Sequence, residues 1–377
     1  MLHELLMKKQ FSQNELFSFY NNKKIMITGH TGFKGAWLCR MLINAGAIVT
    51  GYSLQPPTQP NLFSLADVEI KIKSIIGDVR DFEHLQTVFA EAQPEMVFHL
   101  AAQPIVREGY KDPRYTYETN VMGTVNVLEC VRQCSSVKSV LNVTTDKVYL
   151  NKERTGGYKE DEPLDGFDPY SNSKSCSELV THCYKNSFFA DRHVAVSTAR
   201  AGNVIGGGDF AQDRIIPDCV RAMQAGQIIQ VRNPHSIRPY QHVLEPLAVY
   251  LMIAAKQFED NKYAGYYNVG PDDCDCITTG ELADLFCKYW SLGENYNNIN
   301  VNASCGARWE SQTEMNAPHE ANFLKLDCNL LKKTFGWQPR WHIEEAIQKT
   351  CEFSKVWLQG GNIPAEMDKE IKEFFKE

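Results

Sequence analysis

The stretch Thr28-Gly-His-Thr-Gly-Phe-Lys-Gly35 decides the fold. It follows a short apolar run, Lys24-Ile-Met-Ile-Thr28, and precedes residues 36–45, whose spacing is helical and which Gly46 ends. Glycines 29, 32 and 35 therefore lie in a turn between a strand and a helix. Such a turn lets the backbone approach a pyrophosphate closely, at the positive end of the helix. A glycine pattern alone is also found in ordinary strand-to-helix turns. The strand-turn-helix context points instead to a dinucleotide cradle built from Gly29, His30, Gly32, Phe33, Lys34 and Gly35.

Outward from this turn, strand and helix patterns alternate. Residues 47–52, 72–76, 95–100, 139–144 and 194–199 read as strands. Residues 82–92, 113–134 and 170–187 read as helices. The alternation predicts an α/β fold, a Rossmann-type doubly wound parallel sheet covered on both faces. After Arg200 the pattern becomes irregular, which predicts a smaller, partly interleaved C-terminal substrate lobe. The expected division is an N-terminal extension at 1–22, a dinucleotide-binding Rossmann domain at 23–204, and a mainly substrate-binding lobe at 205–377. Segments near 240–270 are expected to return to the Rossmann domain.

Composition narrows the function. The chain has 377 residues, 43% of them hydrophobic, enough for a substantial core. A net charge of −7 argues against a nucleic-acid partner, without excluding local phosphate sites. No apolar run approaches the roughly 18 residues of a membrane span, and residues 1–20 do not read as a signal peptide. The twelve cysteines are scattered, with no C-x-x-C unit. They read as reduced thiols of a cytoplasmic protein, and no second ligand cluster for a metal is visible.

The chemistry is carried by two segments. In Tyr170-Ser-Asn-Ser-Lys174, the tyrosine and lysine are four residues apart and share a helix face. In Thr144-Thr-Asp-Lys-Val-Tyr149, a hydroxyl (Thr145), a carboxylate (Asp146) and an amine (Lys147) stand side by side at the end of a strand. Lowering a tyrosine pKa from about 10 to about 7 takes roughly 4 kcal/mol. A nearby ammonium and the positive ring of an oxidised nicotinamide can supply it. A Tyr-x-x-x-Lys pair also decorates ordinary helices; here it follows a complete dinucleotide half. Asp78 is placed to accept from an adenine amino group. The second strand ends Gly51-Tyr-Ser-Leu54, with neither an acid for a ribose hydroxyl nor an arginine for a 2′-phosphate, so these residues leave NAD and NADP both open.

Taken in order, the glycine turn, Asp78, Leu100-Ala-Ala102, Thr145 and the Tyr170/Lys174 pair resemble the extended short-chain dehydrogenase/reductase superfamily. Thr-Thr-Asp-Lys is similar to the CDP-glucose 4,6-dehydratase branch, where lysine replaces the glutamate of dTDP-glucose enzymes. The strings Gly29-His-Thr-Gly-Phe-Lys-Gly-Ala-Trp37, Pro56-Pro-Thr-Gln-Pro60, Arg232-Asn-Pro-His-Ser-Ile-Arg-Pro239, Gln241-His-Val-Leu-Glu-Pro246 and Pro318-His-Glu-Ala321 carry the same resemblance. It implies NAD as cofactor, contacted also by Val79, Leu100, Ala101, Ala102, Tyr170 and Lys174. It implies a nucleotide-diphosphate hexose as substrate, held by Asn203, Arg214, Arg238 and His319. The implied reaction oxidises the sugar at C4, removes water across C5 and C6 and returns hydride to C6. Thr145, Asp146, Lys147, Tyr170 and Lys174 are the implied catalytic set, and the implied assembly is a homodimer or a dimer of dimers. Phe210 and Tyr240 stand where the branch usually has tryptophan, and these departures leave the base and the hexose open. A nucleotide-sugar epimerase or 4-ketoreductase would need Tyr170 and Lys174 but not Asp146-Lys147. A non-catalytic, cofactor-sensing protein would need none of them.

Overall fold

The computed structural model describes residues 12–292, 307–312 and 323–376. Its centre is a seven-stranded sheet. Six strands are β1 (Lys24–Thr28), β2 (Ile48–Ser53), β3 (Lys73–Ile76), β4 (Met96–His99), β5 (Ser139–Val143) and β6 (Ala195–Ala201). The seventh is Tyr266–Val269, and the spatial order is Tyr266–Val269, β6, β5, β4, β1, β2, β3. Every pairing in this sheet is parallel. The order reverses between β1 and β4, which opens a crevice beyond their carboxyl ends, where ligands of such sheets bind.

The strands are apolar on both faces because both are covered. Ile25, Ile27, Phe98 and Leu141 point to one side, towards the helices Phe33–Asn44 and Leu244–Glu259. Met26, Val97, Val140 and Val196 alternate to the other, towards Phe82–Ala92 and Gly123–Gln133. Leu244–Glu259 is buried nearly all round, since the helix Gln13–Tyr20 covers its outer side and Tyr20 donates from its hydroxyl to the Leu251 carbonyl at 2.5 Å. A third apolar cluster, with Ile216, Val231, Phe286 and Ile347, forms apart from the sheet in the C-terminal half.

Two expected helices differ from the structure. The segment expected as one helix at 113–134 is α-helical at Pro113–Tyr117, a π-turn at Glu118–Met122 and α-helical again at Gly123–Gln133. The wider turn carries Asn120 inward. There it accepts from the Gln103 amide at 2.8 Å and donates to the Gln103 carbonyl and to Ser173 Oγ at 3.1 and 2.9 Å. The helix expected at 170–187 runs Pro169–Tyr184 and then changes to a π-turn at Lys185–Phe189.

That helix is fastened to the sheet by charge. Glu178 and Arg200 are both buried and pair at 2.9 Å. The Glu178 carboxylate also accepts from Thr144, beside β5, and from Thr198 of β6 at 2.8 Å. Arg200 further donates to the Tyr149 hydroxyl at 2.8 Å and the Glu160 carbonyl at 2.9 Å. Removing one partner strands a buried charge, which typically costs about 3–5 kcal/mol. Urea unfolding of Glu178→Ala should show a loss of that size. The double replacement Glu178→Leu/Arg200→Met should lose less, because it leaves no orphaned charge. Equal losses would contradict the pairing.

Candidate active site

The glycine turn needs glycine for two physical reasons. Gly29 has φ +81°, and a Cβ there would lie 2.7 Å from the Ala101 amide nitrogen. A Cβ at Gly35 would lie 2.1 Å from the Gly29 carbonyl oxygen. The loop after β1 is therefore pressed against Leu100-Ala101 after β4, at the crevice where the strand order reverses. Thr28 fixes this contact: its carbonyl accepts from Leu100 N at 3.0 Å and its hydroxyl from Ala101 N at 3.3 Å. The helix Phe33–Asn44 begins here, with Gly32 as a cap that offers no side chain. Such a bare helix start, reached by glycine backbone, suits a diphosphate. A nicotinamide dinucleotide fits this cradle.

His30 is placed differently from the rest of the turn. Its ring packs over Gly51 and edge-on to Phe63, with Nε2 2.7 Å from Ser74 Oγ. Burial pushes it down to about 4, so it is neutral. It braces the turn while its backbone stays in the loop. Val79 is buried, and its carbonyl accepts from Asn126 at 2.8 Å. Asp78 is gripped by Arg80, with Nη2 at 2.6 Å. Burial raises the Asp78 carboxyl, but the bonds from Arg80 outweigh it and hold it below its usual range.

The second set converges from β5 and the helix Pro169–Tyr184. Beyond β5, Thr145 caps a short 3-10 turn at Asp146–Val148 and donates to Asp146 Oδ1 at 3.0 Å. Asp146 is buried, and its Oδ2 has no hydrogen-bond partner. That oxygen faces Gly202, where a Cβ would stand 3.3 Å away. Lys147 Nζ is 3.4 Å from Asp146 Oδ1, and its side chain is 32% exposed. Asp168 caps the helix, accepting from Ser171 N at 3.0 Å, and this puts Tyr170 in the first turn. The Thr145 hydroxyl meets the Tyr170 phenol.

The electrostatics depart from one expectation. Lys174 donates to the Val143 carbonyl at 3.1 Å, so β5 rather than the phenol holds its ammonium. Burial lowers Lys174 to about 8, opposed by Glu178. Burial pushes the Tyr170 phenol up to about 12, against the Thr145 hydrogen bond and the positive charge of Arg214, and with the help of Asp146. Without ligands, Tyr170 is thus a firmly protonated phenol.

Arg214 pairs with Asp209 at 2.8 Å, and its charge reaches both Tyr170 and Lys34. Arg238 is buried and donates to the Ile237 carbonyl at 3.0 Å. The Asn203 carbonyl accepts from Gln241 N at 3.0 Å. His319 lies outside the described residues. Sequence reading missed Glu178, although it stands at i+4 from Lys174 and i+8 from Tyr170 on the same helix face. For Lys34 it left a phosphate contact or a solvent-facing position open, and did not connect it with Asp146. In the structure, burial brings the Lys34 ammonium to about 7, with Arg214, Lys174 and Lys147 lowering it further and Asp146 opposing.

The sign of this effect is testable. Folded Lys34 loses its proton near pH 7, while an unfolded lysine does so near pH 10.4. Between those values the unfolded chain binds more protons, so stability rises with pH. The stability of the native chain relative to Lys34→Met should therefore increase from pH 7 to pH 9, by at most about 1.4 kcal/mol per unit. Urea titrations at the two pH values measure it, and a flat difference would remove Lys34 from this charge cluster.

The sequence family described as GDP-mannose 4,6 dehydratase matches residues 26–350. A CDP-glucose 4,6-dehydratase of Salmonella typhimurium is 45% identical over 363 residues, 95% of this chain and 97% of that protein. A dTDP-glucose 4,6-dehydratase of Xanthomonas campestris is 26% identical, over 89% of this chain and 95% of its own. Among solved structures, the dTDP-glucose 4,6-dehydratase from Bacillus anthracis in complex with NAD superposes with a TM-score of 0.72 at 20% identity, covering 90% of this chain and 98% of that one. The UDP-glucose 4-epimerase from Thermotoga maritima with UDP-glucose gives a TM-score of 0.73 at 19% identity, over 89% and 99%. These two structures share the fold.

Proposed function

The chain belongs to the GDP-mannose 4,6-dehydratase family, within the extended short-chain dehydrogenases/reductases, and we propose that it is an NAD-dependent hydro-lyase converting CDP-D-glucose to CDP-4-keto-6-deoxy-D-glucose. The observation that carries this reading is Asp146-Lys147 at the mouth of β5, beside Thr145 and Tyr170, with one buried Asp146 oxygen left without a partner. An epimerase has no use for that pair. The relative at 45% identity supports CDP-glucose as the substrate.

NAD bound in the glycine cradle supplies a hydride acceptor and, later, a hydride donor. Tyr170 takes the proton of the sugar 4-hydroxyl, and Thr145 hydrogen-bonds the same oxygen. The Thr145 hydrogen bond and the Arg214 charge oppose the burial that raises the phenol, and the positive ring of a bound cofactor, with Lys174 behind it, would add to them. The 4-ketone so formed acidifies the C5 proton. Lys147 acts at C5, as the base when neutral, or as the ammonium beside the enolate while water or another group takes the proton. Asp146, once it has taken up a proton from solvent on its partnerless oxygen, gives it to the departing 6-hydroxyl, which leaves as water. Arg214, Arg238 and Asn203 hold the diphosphate, guanidinium being suited to two-pronged phosphate contacts. Residues 205–377 serve mainly as the substrate lobe.

The deciding experiment offers CDP-, dTDP-, GDP- and UDP-hexoses in turn and identifies products by NMR. CDP-glucose should yield the 4-keto-6-deoxy sugar. A product that keeps its 6-hydroxyl would establish the epimerase reading instead. Lys147→Ala should still oxidise the sugar but take up no solvent deuterium at C5, and undiminished uptake would remove Lys147 from that step.

Self-association and location follow the same reading. Met122, Leu179 and Phe188 are 51%, 57% and 44% exposed on the helices around 113–133 and 169–189. Pairing these helices in a homodimer would cover them. Leu179→Arg should shift the chain towards monomer in sedimentation; an unchanged profile would place any interface elsewhere. No described helix is long and apolar enough to cross a membrane. The described cysteines are free thiols, which suits the reducing cytoplasm.

A further inference from the structure

We propose that Cys274, Asp275 and His342 form a binding site for a zinc-like divalent cation, remote in sequence from the catalytic set. Three donor atoms of different chemistry converge there. His342 Nδ1 is 2.9 Å from Asp275 Oδ2. Cys274 Sγ is 3.7 Å from the same oxygen and 3.8 Å from the same nitrogen. A tetrahedral ion with bonds of about 2.0–2.3 Å sets its ligands roughly 3.3–3.7 Å apart. The observed triangle needs adjustments of only a few tenths of an ångström to close on one.

Two features distinguish this group from a chance surface cluster. Asp275 is buried, and its other oxygen, Oδ1, accepts from Ile343 N at 2.9 Å, which fixes the carboxylate plane. Such an outer hydrogen bond orients a metal ligand. Cys274 and His342 are exposed, so water has access to the fourth position. Thiolate, carboxylate and neutral imidazole together carry two negative charges, which a divalent ion neutralises. The neighbouring acids already have partners, Asp272 with Lys332 and Asp273 with Lys325. Binding displaces to solvent both the thiol proton and the His342 Nδ1 proton that faces Asp275, and involves no change of oxidation state.

The site joins two parts of the C-terminal half. The turn Asp273–Asp275 leads into Cys276–Thr278, which pairs antiparallel with Ile237–Pro239, the strand that carries Arg238. His342 stands immediately before the helix Ile343–Leu358. A bound cation would staple the Arg238 hairpin to that helix. The sequence hides the site, because 67 residues separate Asp275 from His342.

The test titrates Co²⁺ into the full-length chain freed of metal by chelator. One equivalent should produce visible tetrahedral bands and a near-ultraviolet thiolate-to-cobalt band. Cys274→Ser should lose the thiolate band, and His342→Gln should weaken Co²⁺ binding by more than about tenfold. Zn²⁺ should raise the Tm of the native chain and leave that of Cys274→Ser unmoved. Both positions lie outside the proposed catalytic set, and circular dichroism verifies that the variants fold. No stoichiometric cobalt spectrum would overturn the proposal, leaving His342 and Asp275 as an ion pair at a helix start. A thiolate band that survives Cys274→Ser would overturn it too, by assigning the metal to another cysteine. None of these readings depends on which sugar nucleotide the enzyme turns over.

Discussion

The buried Glu178–Arg200 pair is the constraint on which the rest of the site depends. Glu178 lies on the helix that carries Tyr170 and Lys174, two turns beyond the first of them. Its carboxylate reaches β6 through Thr198 and Arg200, and the end of β5 through Thr144. The helix is thereby locked against the strand end that delivers Thr145, Asp146 and Lys147. A buried ion pair is seldom a large net source of stability against an apolar alternative. Its value here is positional: a carboxylate with three donors on two strands admits one placement of the helix. Lys174, drawn to the Val143 carbonyl, adds a second tie on the same face.

Within this frame the site concentrates positive charge in a chain that is acidic overall. Lys34, Lys147, Lys174 and Arg214 act on a common space, with Asp146 as the opposing charge among them. Burial disfavours the charged forms of Lys34 and Lys174, and both shift towards neutrality. Diphosphates held there, as proposed, would relieve the repulsion. The same burial keeps Tyr170 protonated until further positive charge arrives.

The glycine turn, the strand alternation and the Thr-Asp-Lys and Tyr-x-x-x-Lys segments were legible in the chain because each is local. Strand-helix periodicity and i, i+4 spacing follow from backbone geometry alone. The π-turn at Glu118–Met122 was not legible. It exists to carry Asn120 to Gln103 and Ser173, and those partners lie on other elements. Nor was the turning of His30 away from the cradle, which rests on the absence of a side chain at Gly51, on the neighbouring strand.

What the sequence determined by itself was the fold class and the strand-turn-helix at the glycines, and it singled out the two segments proposed to carry the chemistry. Only the tertiary structure decided which charges share one space. It brought Lys34 into the field of Asp146 and Lys147, gave Lys174 to a backbone carbonyl rather than to the phenol, and set Cys274 and Asp275 against His342. The physical reason is range. Periodicity reports on neighbours within a turn or two of chain, whereas burial and Coulomb interaction depend on distance through space, which chain order does not encode.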